Sequence, residues 1–472
     1  MHTFIALIAA VVLLVPVAVP AQTLEAAAKA LGAPTVKSLE VTGTAISYAV
    51  GQSAAPGMPW PKFTVKDYVR TINYDTASVR EQFVRTRAEQ PPRGGGIPAL
   101  GDSRQHLVLS GDHAWNVAGE SATPAPIALA ERQFQLWATP HGVVKAALAN
   151  GATVQGRTLA FAVPGRFRLK ATLDAQNLVQ KVEGVIPNPV LGDLPIEITY
   201  SDYRDFGGVK FPMKTVQTAG GFPALELTVT EVRVNAPADI PVPDPVRQAT
   251  APYARVASQK AAEGVWYVTG GSHHSVAIEM NDHVVVVEAP LNDDRTLAML
   301  AEVRKLVPGK PVKYVVVSHH HFDHSGGVRA AAGEGITIVT QDVSRAFFEK
   351  TLAASATIAP DHMAKSGKKP VVEGVKDKRV MTDATRTVEI HHIAGNQHDD
   401  GMLMVYLPKE KLLIQADTFT PPAPNAPPPT AINPNTVHLA DQIAKLGLAV
   451  DQHLPLHGRI VPFADLNKAI GR

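Results

Sequence analysis

Between Ser318 and Gly327 the chain reads Ser-His-His-His-Phe-Asp-His-Ser-Gly-Gly, and this block restricts the available folds more than any other stretch. It follows an unbroken apolar run at 314–317 that reads as a strand covered on both faces. On extended chain, side chains two apart point the same way, so His319 and His321 can bind one ion together. His320 and Phe322 then project to the other side and pack. Asp323 and His324 lie within reach of a second ion, and Gly326 and Gly327 let the backbone turn tightly into a following helix. Fourteen of the 18 histidines come after residue 270, so this chemistry is concentrated in one half of the chain. The chain has no cysteine, which leaves imidazole and carboxylate as the only strong ligands for a transition metal.

With 472 residues the chain exceeds what one core sustains, roughly 250–300 residues, and two domains are expected. A net charge of +2 gives no field that would favour nucleic acid. Residues 4–15 form an apolar run closed by Pro16, read as a secretory signal over 1–21, with an uncleaved anchor as the alternative. No later segment has membrane-spanning length, so a periplasmic or secreted protein is expected, with no transmembrane segment after cleavage. Over 22–245, short alternating runs such as 39–50, 68–74, 167–173, 196–200 and 225–232 predict an antiparallel, β-rich domain. A helical stretch at 128–150 interrupts it, split near Pro140 and Gly142. A Pro-rich segment, 236–245, closes this domain, with 246–262 as linker and 263–472 as the second domain.

The second half alternates strands with helices. Residues 275–279 and 284–288 predict a hairpin, and Asn292 predicts the cap of a helix ending at Pro308-Gly309. Further strands are expected at 336–340, 388–391, 403–407 and 412–415, which places His391 and His392 on or at the end of a strand. Residues 421–429 read as a low-complexity spacer.

The His-x-His-x-Asp-His block resembles the signature of the metallo-β-lactamase superfamily. The other elements follow in that family's order: His398 after Gly395-Asn396-Gln397, Asp417 after Ile414-Gln415-Ala416, and His457 after Pro455-Leu456. Over about 263–472 the resemblance implies an αββα sandwich with metals at one edge, giving an α+β chain overall. It implies that His319, His321 and His398 hold one zinc, that Asp323, His324 and His457 hold a second, and that Asp417 bridges them; iron or manganese are alternatives. Two Zn²⁺, two carboxylates and a hydroxide sum to +1. A metal-bridging hydroxide attacking an ester, thioester, lactone or amide carbonyl is the expected chemistry, with Asp323 as the catalytic carboxylate. His273 and His274 lie in a loop whose family counterpart borders the active site, and both are candidate substrate contacts. Asp399 and Asp400 are candidates to orient ligand imidazoles, a plain turn being the alternative. Glu288 stands where many members have Asp, at a position that is not a ligand.

Asp417 in the bridging position resembles the glyoxalase II branch and general hydrolases more than true β-lactamases. Lactam hydrolysis therefore stands as an alternative, as do iron redox chemistry and a lipid-binding or scaffolding protein with a non-catalytic metal site. Residues 200–212 and 225–234 resemble closing strands of the half-barrel in periplasmic lipoprotein carriers, which implies an apolar concave surface for a lipid or protein partner. Arg93-Gly94-Gly95-Gly96 lacks the strand and helix context of a phosphate loop and reads as a flexible turn. The expected partner of the second half is a small-molecule substrate.

Overall fold

The computed structural model describes residues 20–98, 100–249, 255–424 and 431–472. The leader expected over 1–21 falls largely on 1–19, outside the described residues, while Pro20 and Ala21 begin the helix Pro20–Leu31. Part of the 421–429 spacer likewise lies outside them. No helix among the described residues is long and apolar enough to cross a membrane.

The first domain is one open sheet of 13 strands, each antiparallel to its neighbours. Its first strand, Ser38–Tyr48, lies inside the sheet between Lys62–Asn73 and the domain's last strand, Phe222–Val234. Ser121–Pro124 and Thr153–Gln155 are the two edges. The chain passes from one edge to the other through the helices Leu129–Trp137 and Pro140–Ala149, the pair expected from the break at Pro140. Thr139 supplies the cap: its hydroxyl accepts from Gly142 N at 3.2 Å, and Pro140 takes a first-turn position where no N–H is needed. Alternation sets the burial, as in Phe167–Leu173, where Phe167, Leu169, Ala171 and Leu173 are buried and the residues between them are more exposed. These inward faces pack on Phe134, Leu136 and Val143 of the helices.

The second domain stacks two sheets between helices. A seven-stranded sheet runs from Ala257–Ala262 at one edge to Val372–Val375 at the other, and a six-stranded sheet contains Thr387–His392, Leu403–Leu407, Leu412–Gln415 and Gln452–Pro455. Val285, Val316, Ile390 and Ile414 fill the space between the sheets. Met299, Leu300 and Val303 of the helix Asp293–Leu306 cover the outside of the first sheet, and Leu439 and Ile443 of Pro434–Lys445 cover the second. Asn292 caps as expected, its side chain accepting from Arg295 N at 2.9 Å. One boundary needs correction. Ala257–Ala262, expected as linker, is a strand paired with Val265–Thr269, so the second domain begins earlier than 263. Its sequence, Ala-Ser-Gln-Lys-Ala-Ala, lacks the β-branched residues that mark a strand, because it is a solvent-facing edge strand held by its ladder.

Two histidines lie in these cores away from the candidate centre. His141 stacks on Phe211 and donates Nε2–H to Leu31 O, while among the described residues its Nδ1 has no partner; His453 stacks on Phe463 and, among the same residues, has neither nitrogen partnered. Burial pushes each down to about 4, against about 6.5 for an unfolded chain. A depressed folded pKa means the unfolded chain binds the extra proton first, so stability is intact above pH 6.5 and falls as pH drops from 6.5 towards 4. The loss is on the order of 3 kcal/mol per histidine at the acid end. Urea unfolding at stepped pH should show this slope, and His141→Phe with His453→Phe should flatten it; an unchanged slope in the double variant would contradict the assignment.

Candidate metal centre

The apolar strand Val312–Val316 ends the sheet register at Ser318, and the histidine block turns across the sheet edge into the short helix Phe322–Ser325. His319, His321, His398 and Asp417 come together with ligand atoms all within 4.8 Å of one another. His273, Asp323, His324 and His457 form a second group of the same tightness. Asp417 connects the two groups: its Oδ2 lies 2.8 Å from His398 Nε2, 3.1 Å from His324 Nε2 and 3.4 Å from His319 Nε2, while Oδ1 lies 2.8 Å from His457 Nε2. All seven residues singled out as ligands therefore meet at one place. His273 joins them at 3.2 Å from Asp323 Oδ2, as a member of the second group rather than only a substrate contact. His274 does not reach the cavity: its Nε2 meets Gly458 O at 3.0 Å and its ring packs on Tyr267.

The far nitrogens of the imidazoles fix which way each lone pair points. His321 Nε2 meets Ser53 O at 2.8 Å and His457 Nδ1 meets Ser272 O at 3.0 Å; carbonyls only accept, so both nitrogens carry hydrogen. His324 Nδ1 donates to Glu288 Oε2 at 2.9 Å. Ser318 Oγ gives its proton to Glu288 Oε2 at 2.6 Å and accepts from His319 Nδ1 at 2.9 Å. Bare lone pairs then face one another across 3.0 Å, His319 Nε2 to His321 Nδ1, and 3.1 Å, His324 Nε2 to His457 Nε2. His398 Nε2 is buried and makes no hydrogen bond of proper geometry. Lone pairs converging at such distances repel unless a cation sits among them, and an imidazole–carboxylate donor set suits zinc, iron or manganese. The residues present fit a pair of divalent ions.

Electrostatics point the same way. Burial works against ionisation of Asp417, but the neighbouring imidazoles of His324, His457 and His398 outweigh it and hold the carboxyl far below the usual carboxylate range. Asp323 behaves likewise beside His324 and His273. Burial lowers His319 and His321, whereas Asp417 and Asp323 outweigh burial at His324 and raise it. Three residues here adopt left-handed backbone, Glu288 (φ 78°), Leu291 (φ 66°) and Asp417 (φ 58°), a conformation that surrounding contacts must enforce.

Several contributors carry no local sequence signal. Gln52 Nε2 donates to Asp323 Oδ1 at 2.8 Å, and Ser53 supplies the carbonyl that orients His321, so the first domain reaches residues of both groups. His320 and Phe322 do turn away: His320 Nδ1 lies 2.5 Å from Asp399 Oδ2, its Nε2 3.0 Å from Ser53 Oγ, and Phe322 packs edge-on to Trp60. Asp399 is fully buried and also lies 3.7 Å from His321 Nε2, while Asp400 pairs with Arg93 at the surface. The run Arg93–Gly96 is not a free turn. Arg87 donates to the carbonyls of Arg93, Gly94 and Gly95, and a Cβ on Gly95 would stand 2.2 Å from Gln52 Oε1 and 2.9 Å from the His321 ring. Gln52→Ala is expected to weaken metal binding about 10–100-fold, the usual cost of removing a partner that orients a ligand. Chelator competition would measure it, and unchanged affinity would detach Gln52 from the centre.

A profile of the metallo-beta-lactamase superfamily matches residues 268–450. This segment belongs to that superfamily. Among curated proteins the chain is 26% identical over 202 residues to the 2,4-dinitroanisole O-demethylase subunit alpha of Nocardioides sp. (strain JS1661), covering 41% of this chain and 55% of that protein. It is 26% identical over 222 residues to the linear primary-alkylsulfatase of Pseudomonas sp. (strain ATCC 19151), covering 39% of this chain and 41% of that protein. The chain thus spans about half the length of the curated relatives it matches. Of solved structures, the metallo-beta-lactamase from Pontibacter korlensis matches at 18% identity and a TM-score of 0.36, covering 46% of this chain and 98% of that one. Most of the clustered His and Asp groups lie within the matched segment, with His457 just beyond its end.

Proposed function

We propose that the protein is a di-zinc hydrolase, working in the periplasm or outside the cell, that cleaves a small-molecule ester, thioester, lactone or amide. The observation that carries this is a cavity of about 1000 Å³ into which Asp323, His398, Asp417 and His457 open together with the inner face of the first domain's sheet. His319, His321 and His398 would hold one ion and Asp323, His324 and His457 the other, with His273 beside Asp323 and Asp417 shared. Bound there, such ions supply Lewis acidity and a water of lowered pKa. Asp323, held by Gln52 and His273 and lining the cavity, is the residue assigned to pass a proton from the attacking water to the leaving group. Glu288, Ser272 and Ser53 keep the imidazoles in one tautomer throughout.

That the sheet's inner face and the centre share one cavity favours a substrate-holding role for the first domain over a separate lipid-carrier or scaffold role. The names of the two curated relatives extend the test to alkyl sulfates and aryl methyl ethers. Zinc-loaded full-length protein should turn over at least one class in a panel of esters, thioesters, lactones, amides, alkyl sulfates and aryl ethers, with activity lost to chelator and restored by zinc. Fully loaded protein inert across that panel would overturn the reading.

A further inference from the structure

The cavity extends from the centre along the strand Ser78–Arg87, whose alternate residues Val79, Glu81, Phe83, Arg85 and Arg87 all line it. From Arg87 to Val79 this wall runs roughly 26 Å at about 3.3 Å per residue. Its near end is cationic. Arg87 is buried and spends its guanidinium on the carbonyls of residues 93–95, the loop that lies against His321. Arg85 sits beside it; the two guanidinium carbons lie 4.7 Å (Arg85) and 5.0 Å (Arg87) from the centre of the Phe63 ring.

Among the described residues no carboxylate, carbonyl or hydroxyl accepts from Arg85, and its Nε is buried without a partner. Arg87 Nε is also buried without a hydrogen bond, its nearest carboxylate being Glu89 at 4.0 Å. Glu81, on the same wall, is occupied by the Tyr68 hydroxyl. Burial and the neighbouring Arg87 push Arg85 down to about 10, still cationic at neutral pH. Arg85 is half-buried, so its guanidinium is partly withdrawn from water, and the described residues give it neither an anion nor an acceptor. Beyond it Phe83, Val65, Leu107 and Leu109 give apolar surface interleaved with Glu81, Arg70 and Arg132, and Ile97 and Leu100 add exposed apolar residues to the lining.

We infer that Arg85, stacked on Phe63 and flanked by Arg87, is the anion-binding subsite for the substrate, which is an amphiphile bearing a carboxylate or a sulfur oxyanion together with an apolar chain. The guanidinium takes the anion as a forked acceptor, and the chain lies along Phe83 towards Leu109. This assignment rests on the hydrolase reading for the word substrate, but the subsite itself needs no turnover to be tested.

The test is calorimetric titration of zinc-loaded full-length protein with decanoate, decanesulfonate and decanol, in the natural chain, Arg85→Gln and Arg85→Lys. Both anions are expected to bind at least about 10-fold more tightly than decanol. Arg85→Gln should lose about 10–100-fold for the anions, with decanol affinity and zinc content unchanged, and Arg85→Lys should retain part of the anion affinity. Metal-stripped protein should keep the Arg85-dependent binding. Decanoate bound no better than decanol, bound equally by Arg85→Gln, or lost only on zinc removal would overturn the subsite. Anion binding through Arg85 in a fully loaded protein that hydrolyses nothing would instead overturn the hydrolase reading alone. Hydrolysis of the panel at equal rates for anionic and neutral esters, in both the natural chain and Arg85→Gln, would overturn the subsite alone.

Discussion

Asp417→Ala is expected to strip the protein of bound metal and to abolish hydrolysis while leaving the first domain folded. Removing a group that merely orients a ligand costs about 10–100-fold in metal affinity; Asp417 stands within 3.4 Å of imidazoles from both groups, so its loss exceeds that range. Without its charge, His319 and His398 lose the carboxylate of their group, and His324 and His457 keep only Asp323 in theirs. The backbone adds to the effect, because φ 58° is far less tolerable for alanine than for aspartate or asparagine. Asp417→Asn separates the two contributions: it keeps the conformation and a ligand oxygen but loses the charge, and should hold metal more weakly than the natural chain and better than Asp417→Ala. Metal retention by Asp417→Ala equal to that of the natural chain would remove Asp417 from the centre.

Asp399→Ala is expected to destabilise the second domain by about 1–3 kcal/mol, the cost of leaving the buried groups it serves without an acceptor. Asp399 is fully buried, its Oδ2 is 2.5 Å from His320 Nδ1, and its Oδ1 accepts from Gly401 N at 2.6 Å. Burial works against its ionisation, but His320 and then His321 overcome that and hold it far below the usual carboxylate range. Urea unfolding should show the loss as a lower midpoint. His320→Ala should keep both metals, because its ring faces Ser53 and Asp399 instead of the ions. Metal loss equal to that of Asp417→Ala would contradict the alternation that separates His320 from His319 and His321.

The parts legible in the sequence are those written in short-range spacing. Alternation within one decapeptide divides His319 and His321 from His320, and strand-end positions mark Asp417 and His457. The cap at Asn292 and the helix break at Pro140 follow from single residues with fixed backbone roles. What the sequence does not mark is set by long-range packing. Gln52 and Asp323 are 271 positions apart, and nothing in the local composition of residues 49–54 announces that this loop will lie on the histidine block. Gly95 reads as one residue of a turn until the His321 ring is seen to occupy the space of its side chain. His273 belongs to a loop whose position depends on Arg295, a buried guanidinium that donates to the carbonyls of Gly270 and His273. The edge strand Ala257–Ala262 hides for the opposite reason, since solvent-facing edge residues carry no pattern to read.

The two domains therefore build the candidate centre and its cavity together. The sheet face from the first walls the cavity, and its 52–53 loop sets the orientation of residues in the second. Elemental analysis of the purified, undialysed protein, combined with anomalous diffraction at the metal edges, tests this account most directly. Close to two equivalents of a divalent transition metal are expected, one peak among His319, His321 and His398 and one among Asp323, His324 and His457, with Asp417 between them. Anomalous density at the His320–His321–Asp399 cluster instead, or full zinc loading conditions that leave the seven side chains without an ion, would contradict it.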